Sequence, residues 1–239
     1  MRCRHLVLGL IALGIGFTAA TPARATSFDN RPKILLHIKS KTTKNPCNFG
    51  SVADCQTQTV VKANLTNPAD SNTFYFVYLL GVKASMPNLA GLQCGIQYEG
   101  GYNANGGETP INIAAWTLCA TLEFQTPGAD QWPSPGGGNL ITWDSVNACQ
   151  TGETGVAGFF YLGAYAPATM RVTTRPIDDK ATLADCTAAE GEPLLTKDLG
   201  FVAFSAGAVT EGCNACAIEC MPVAVQPVTW SGIKSLLRQ

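Results

Sequence analysis

The chain has 239 residues, of which 14% are charged, with a formal net charge of −1 and 10 cysteines. This length suits one domain with a substantial core. The sequence has no cluster of basic residues, which excludes the electrostatic footprint of a nucleic-acid-binding protein. We therefore expect no nucleic-acid partner.

The first 25 residues have the three parts of a secretory signal peptide. A basic start with Arg2 and Arg4 precedes an apolar run over 6–20, and Ala23 and Ala25 are small residues at a cleavage site. The run is short for a bilayer and is interrupted by glycines. We predict cleavage after Ala25 and no transmembrane span in the mature chain, which would be secreted, at the cell surface or in the periplasm.

Cleavage changes both the charge and the cysteine count of the chain. It removes three of the 16 basic residues and none of the 17 acids, which leaves a net charge near −4. Nine cysteines remain, in a compartment that permits disulfides. Because nine is odd, at least one thiol stays free or pairs between molecules.

Ten short segments of the mature chain have the alternating or apolar, β-branched pattern of strands. In chain order they are Lys33–Ser40, 57–65, 74–83, 90–98, 113–124, 139–144, 156–165, 170–174, 180–186 and 199–207. The first has the alternation of a half-buried strand, whereas 74–83 is apolar on both faces and is expected to be central. Strand–helix–strand alternation is missing, which argues against a doubly wound fold.

These segments predict an all-β fold, an antiparallel β-sandwich of jelly-roll or cohesin-like type that is stapled by disulfides. The domain would span 26–211, after the signal peptide at 1–25. A Cys-rich patch and a Pro-containing linker follow over 212–228, and 229–239 has the pattern of a short C-terminal helix. This helix either docks on the domain or serves as a sorting or anchoring tag.

The stretch 116–150 is predicted to be the stapled centre of the domain. Two strands flank its Gly/Pro-rich loop, and Cys119 and Cys149 lie near its two ends. We predict that these two cysteines pair and that Cys47 pairs with Cys55 across a short loop.

The other cysteines are Cys94, Cys186, Cys213, Cys216 and Cys220. Cys94 and Cys186 are left to join each other or the tail. Cys213 and Cys216 have the CxxC spacing of zinc or iron–sulfur ligands. However, a structural zinc site needs four ligands, and the only histidine of the mature chain is far away in sequence. We therefore predict disulfides here, one unpaired cysteine among the nine, no metal and no cofactor.

Three acids lie at or near the predicted strand ends, where a glycosidase built on a sandwich would place its acid and base. They are Glu99, Glu123 and Asp144. Most acids in such positions are simply solvated. Catalysis by two of them is the alternative to a non-enzymatic role.

The loop over 125–138 carries Trp132 among prolines and glycines. An exposed aromatic on a stapled loop would stack on a sugar ring or on a partner surface. Trp132 is thus the candidate ligand-binding residue. The alternative is that its side chain covers the core of its own domain.

Several stretches carry a resemblance, namely AGLQCGIQYEGG, AWTLCATLEF, GNLITWDSVNAC and PVTWSGIKSLLR. Together they resemble exported bacterial β proteins from environmental genomes, a resemblance that covers most of the mature chain and brings no activity with it. The rhythm of strands around GLQCGIQY is also distantly similar to cohesin-like sandwiches. Neither resemblance assigns a role to a residue.

We predict an exported, non-catalytic binding or surface-assembly module. Its partner would be a glycan or another extracellular protein. The alternative is an extracellular hydrolase, such as a glycosidase, that uses a carboxylate pair.

Overall fold

The computed structural model describes residues 30–40, 47, 52, 54–65, 74–104, 109–128, 131–205 and 211–220. These residues are mostly β, with twelve strands, one four-residue helical turn (α1, Cys55–Gln58) and a short 3-10 turn. The predicted signal peptide and the predicted C-terminal helix lie outside the described residues.

Most strands lie within the predicted segments. However, 57–65 contains the end of α1 and only a three-residue strand, 113–124 is divided between two strands, and the strand at 100–102 lies outside the ten segments. In order they are β1 (Lys33–Ser40), β2 (Lys62–Asn64), β3 (Phe74–Val82), β4 (Gly91–Tyr98), β5 (Gly100–Tyr102), β6 (Ile111–Leu118), β7 (Leu122–Gln125), β8 (Gly138–Thr142), β9 (Thr154–Ala164), β10 (Ala168–Thr173), β11 (Thr182–Ala184) and β12 (Phe201–Ser205).

The strands form two sheets. Sheet A has the order β1-β3-β9-β6-β5, and sheet B has the order β2-β12-β10-β4-β8-β7, with β11 also paired to β4. Most neighbours are antiparallel, but β12 pairs with β2, and β5 with β6, in parallel. The predicted purely antiparallel pairing is therefore wrong at one edge of each sheet, where short strands are reached by loops instead of hairpins.

The two sheets share one hydrophobic core, in a sandwich-like arrangement. Alternate residues of β3 and β9 face this core from sheet A, and alternate residues of β4 and β10 face it from sheet B. As a strand places successive side chains on opposite faces, the other set of each strand lies on an outer face. As predicted, β3 is central, between β1 and β9.

The outer face of sheet A is buried as well over β1, β3 and much of β9, whereas its β5 and β6 end is partly exposed. Its apolar side chains, among them Phe76, Tyr78 and Phe159, pack in a second core against Val52 and the cysteines of α1 and of 211–220. We call this layer, residues 47, 52, 54–58 and 211–220, the disulfide cover. It explains why β1, predicted to be half-buried, is buried on both faces over six of its eight residues.

Four disulfides join the described cysteines, and none matches a predicted pair. They are Cys47–Cys119, Cys55–Cys216, Cys149–Cys186 and Cys213–Cys220. The predicted pairs Cys119–Cys149 and Cys47–Cys55 are wrong, as is the expectation that Cys94 or Cys186 joins the other or the tail. Cys94 is the free cysteine among the described residues and is buried in the core.

The reason for the wrong pairing is that 113–124 is not one strand. Its first part is β6 in sheet A and its last part is β7 in sheet B, so the chain crosses between the sheets at 119–121. Cys119 contacts the second core under the disulfide cover, where Cys47 lies. Cys149 follows β8 on the other sheet, where its partner Cys186 follows β11.

Candidate binding surface

The outer face of sheet B has a continuous open part. Residues that are paired across neighbouring strands of a sheet share a face. One row of this face therefore runs from Phe124 on β7 through Leu140 and Gln93 to Thr182 on β11. The next row runs from Leu122 through 142 and 91 to 184.

Strand β7, at the edge of this face, exposes two apolar side chains to solvent. Leu122 is 56% exposed and Phe124 is 54% exposed, whereas Glu123 and Gln125 between and after them point inward. Leu140 lies half-buried beside Phe124. Single exposed apolar residues are common, but neighbouring ones on a sheet edge form a patch of the kind that marks interaction sites.

A groove of about 410 Å³ lies on the same face, over β4, β8 and β11. Its lining consists of Ala90, Gly91, Leu92, Gln93, Leu140, Thr142, Trp143, Ser145, Thr182, Ala184, Asp185, Ala188 and Glu190. We call Leu122, Phe124 and Leu140 the apolar strip. Because Leu140 also lines the groove, the strip and the groove form one continuous surface. Small-molecule and side-chain sites in proteins have volumes of this order.

The floor of the groove holds two buried polar side chains. Gln93 is 8% exposed and Thr182 is 4% exposed. The amide nitrogen of Gln93 donates a 2.6 Å hydrogen bond to the Asp178 carboxylate. Because a carboxylate only accepts, this bond orients the amide and leaves the Gln93 oxygen as a free acceptor.

Carboxylates stand at one end of the groove. Asp185 accepts from the Thr187 hydroxyl at 2.7 Å and from the amides of Thr187 and Ala189 at 2.8 and 3.1 Å. The Thr187 hydroxyl contributes most to holding the pKa of Asp185 below its ordinary value, and the two amides add to this effect. Asp185 is therefore ionised at neutral pH, next to the exposed Glu190.

The three acids that sequence considerations single out for catalysis do not form a site. Glu123 accepts from the indole nitrogen of Trp116 at 2.9 Å, from Asn139 at 2.7 Å and from Gln125 at 3.0 Å. These bonds make it an acceptor that joins β6 to β7 and β8.

Asp144 accepts from the amides of Val146 and Asn147 at 2.8 and 3.0 Å and from the Asn147 side chain at 3.0 Å. The Asn147 side chain in particular lowers the pKa of Asp144, which is the opposite of what a catalytic acid requires. Glu99 lies exposed at the bend between β4 and β5. Glu99, Glu123 and Asp144 share no hydrogen-bond partner among the described residues.

Trp132 does not face solvent. It is 2% exposed and packs edge-on against Trp116 and beside Phe160, with ring centroids 5.1 and 5.3 Å apart. The prediction that it stacks on a ligand is wrong, because the loop folds back into the gap between the two sheets. The alternative, that Trp132 covers its own core, describes its position.

The cysteines with CxxC spacing are engaged in disulfides. Cys213 and Cys216 each pair with another cysteine, Cys220 and Cys55 respectively. Within the described ranges no cluster of His, Cys, Asp or Glu has the geometry to hold a metal. No helix there has the length and apolar content to cross a membrane.

Sequence reasoning missed the groove and the apolar strip. Leu122 and Phe124 alternate with polar residues, which is the pattern of a half-buried strand, and the usual inference buries the apolar set. On the edge strand β7 the pattern is reversed. Glu123 points inward and accepts hydrogen bonds from Trp116 and Asn139, so the apolar side chains point outward. Nothing in the sequence brings 93, 140 and 182–185 together, because they belong to three separate segments.

Comparison with known proteins gives no family for this chain. No family model matches it, and no curated protein does. Among solved structures it is similar to a cohesin module from a Clostridium perfringens family 33 glycoside hydrolase, with 8% identity and a TM-score of 0.39 over 73% of this chain and 98% of that one.

Two further cohesin structures have similar scores. One is the sixth cohesin of Acetivibrio cellulolyticus scaffoldin B, in complex with a Cel5 dockerin, with 11% identity and a TM-score of 0.38 over 72% of this chain and 98% of that one. The other is a type I cohesin–dockerin complex of Clostridium thermocellum, with 10% identity and a TM-score of 0.37 over 72% of this chain and 99% of that one. The distant cohesin likeness suggested by strand rhythm is thus also found in three dimensions, and it remains distant.

Proposed function

We propose that this chain is an exported, non-catalytic module that binds another protein through the outer face of sheet B. The observation that carries the proposal is the continuous surface made by exposed Leu122 and Phe124 and the groove beside them. The fold type that we assign to the module is a jelly-roll or cohesin-like sandwich, over residues 26–211 and with the 211–220 part of the disulfide cover joined to it.

A protein partner suits this surface better than a glycan does. A sugar-binding face needs hydrogen-bonding side chains beside its aromatic ring, because a sugar is covered with hydroxyl groups. The exposed ring of this face, Phe124, has Leu122 and Leu140 as its neighbours, and the tryptophan of the 125–138 loop is buried between the sheets. An aliphatic and an aromatic side chain beside a concave groove are what a protein segment with apolar residues would cover.

A hydrolase is the weaker candidate, because the candidate acids already serve structural hydrogen bonds. Glu123 is engaged by three donors and Asp144 organises its own turn. Neither is positioned to exchange a proton with a substrate in an open cleft.

Export is supported by the four disulfides, which persist in oxidising compartments. The cleaved leader at 1–25 and the tail helix at 229–239 stay predictions. Intact-mass measurement of secreted material tests the first, since it would begin at Thr26.

The experiment that tests the binding surface selects peptides from a random displayed library against the folded, oxidised protein. We expect selected peptides to lose about tenfold or more in affinity when Phe124→Ser and Leu122→Ser are combined, since each removes a core contact of the interface. Ile218→Ser is the matched control, because Ile218 is 56% exposed but lies in the disulfide cover over sheet A. Peptides that bind independently of Leu122 and Phe124 would contradict the proposal.

A further inference from the structure

We propose that the groove over β4, β8 and β11 receives a cationic side chain, arginine or lysine, of the partner segment that packs on Leu122 and Phe124. This inference rests on the proposed function and adds the chemistry of the partner to it. It makes the binding surface bipartite, with an apolar anchor at β7 and a cation-accepting groove at β11.

The groove floor offers acceptors that the protein itself leaves unused. Thr182 is 4% exposed, and its hydroxyl has no hydrogen-bond partner among the described residues. The Gln93 side-chain oxygen also lacks one there, since it is the amide nitrogen of Gln93 that bonds to Asp178. Neither oxygen is among the fully buried polar atoms that lack a partner, so both are accessible from the groove. A ligand with donors in the groove would satisfy both.

The charge of the groove selects a cation. Asp185 and Glu190 line it, and neither lysine nor arginine is among the lining residues. The adjacent cation Arg175 is bound to Asp178, with its Nη1 3.4 Å from that carboxylate. An anionic or purely apolar side chain would leave Asp185 and Glu190 desolvated without a counter-charge.

A guanidinium or ammonium group matches these acceptors in kind. Arginine carries five N–H donors in a planar fork, and lysine carries three, and neither accepts. Such a group can donate to the Gln93 oxygen and the Thr182 hydroxyl while its charge faces Asp185. Its aliphatic stem can lie along Leu140 and the edge of Trp143, which also line the groove.

The spacing between anchor and cation follows from the sheet. Strands β7, β8, β4 and β11 are consecutive neighbours, so three inter-strand steps separate Phe124 from Thr182, or about 14 Å. An extended segment that crosses the strands covers this distance in about four residues. The partner segment should therefore carry its cation about four residues from its apolar anchor.

The test uses the peptides selected on the intact protein for the proposed function, together with blocked arginine and its neutral isostere, blocked citrulline. We expect the selected peptides to contain Arg or Lys and to weaken about fivefold or more when that residue is replaced by citrulline or norleucine. Glu190→Gln and Asp185→Asn should each reproduce part of this loss. Glu219→Gln, in the disulfide cover, is the matched control and should change nothing.

The outcomes separate the two proposals. Peptides that need Phe124 but ignore both the citrulline replacement and the acid variants would overturn the cation groove and leave the proposed function standing. If no peptide depends on Phe124, the proposed function fails, and amide chemical shifts decide the groove by themselves. Shifts at Gln93 and Thr182 that follow blocked arginine, but not blocked citrulline, and vanish in Glu190→Gln would support it; their absence would refute it.

Discussion

His37 gives the protein a sensitivity to acid that can be worked out from its surroundings. The imidazole is 5% exposed and lies on the outer face of sheet A, beneath the segment that leads from the disulfide cover to β2. Its Nδ1 accepts a 3.0 Å hydrogen bond from the amide of Val60. That bond requires the neutral ring, because both nitrogens of a protonated imidazole are donors.

Burial, with a smaller contribution from the charge of Lys39, lowers the pKa of His37 from 6.5 to about 4. The unfolded chain therefore binds a proton near pH 6.5 and the folded chain does so only near pH 4. Between these values the unfolded state holds more protons, so stability is complete above about pH 6.5 and falls as the pH falls. At 1.36 kcal/mol per pKa unit, the loss is about 2 kcal/mol by about pH 5 and about 3 kcal/mol below pH 4.

The assay is urea unfolding of the mature protein and of His37→Asn at about pH 8 and about pH 5. The asparagine oxygen can accept from Val60 in place of Nδ1 and does not titrate. We expect the native protein to lose about 2 kcal/mol more than the variant over this interval, because all other titrating groups are common to both. Parallel losses in the two proteins would refute the assignment of the acid sensitivity to His37.

Three further predictions follow from buried groups. Asp198→Asn should lower the free energy of unfolding by about 3–5 kcal/mol, because it removes the buried carboxylate that lies 2.9 Å from the Lys33 ammonium. Chemical denaturation measures this loss. Glu219→Gln, in an exposed pair, is the control and should cost less than about 1 kcal/mol. Trp132→Ala should cost about 3–5 kcal/mol in the same assay, whereas a loss below about 1 kcal/mol would indicate a solvent-facing ring. Burial raises the pKa of the Cys94 thiol, so Cys94 should resist alkylation until the protein unfolds. Peptide mass measures the labelling, and prompt labelling of the native state would contradict the position of Cys94 in the core.

The location of strands could be predicted from the sequence far better than their partners. Alternation and β-branched runs locate β1, β3, β4 and β9 within two residues at either end, because the period of a strand is written in consecutive residues. Which strands lie side by side is decided by contacts between distant segments. The crossing from sheet A to sheet B at 119–121 has no local signal, and the disulfide prediction failed with it.

The site was harder to predict for a related reason. Residue type makes Glu123 and Trp132 candidates for a site, but their roles are determined by the residues that surround them in the fold. Glu123 is an acceptor for Trp116, and Trp116 in turn packs against Trp132. An acid and an aromatic that would be functional on an open surface are structural here, because the two sheets close over them. Because Glu123 faces inward on β7, its neighbours Leu122 and Phe124 face solvent.

The disulfides lie differently with respect to the two sheets. Three of the four lie in or reach the disulfide cover, where they hold a few residues over the aromatic outer face of sheet A. The fourth, Cys149–Cys186, covers nothing. It ties the turn after Trp143 to the turn that carries Asp185, and both residues line the groove. A groove whose two walls are covalently joined loses little conformational entropy when a segment enters it, and such preorganisation raises affinity without any added contact. Disulfides therefore cover much of the outer face of sheet A and, on sheet B, join the two walls of the groove.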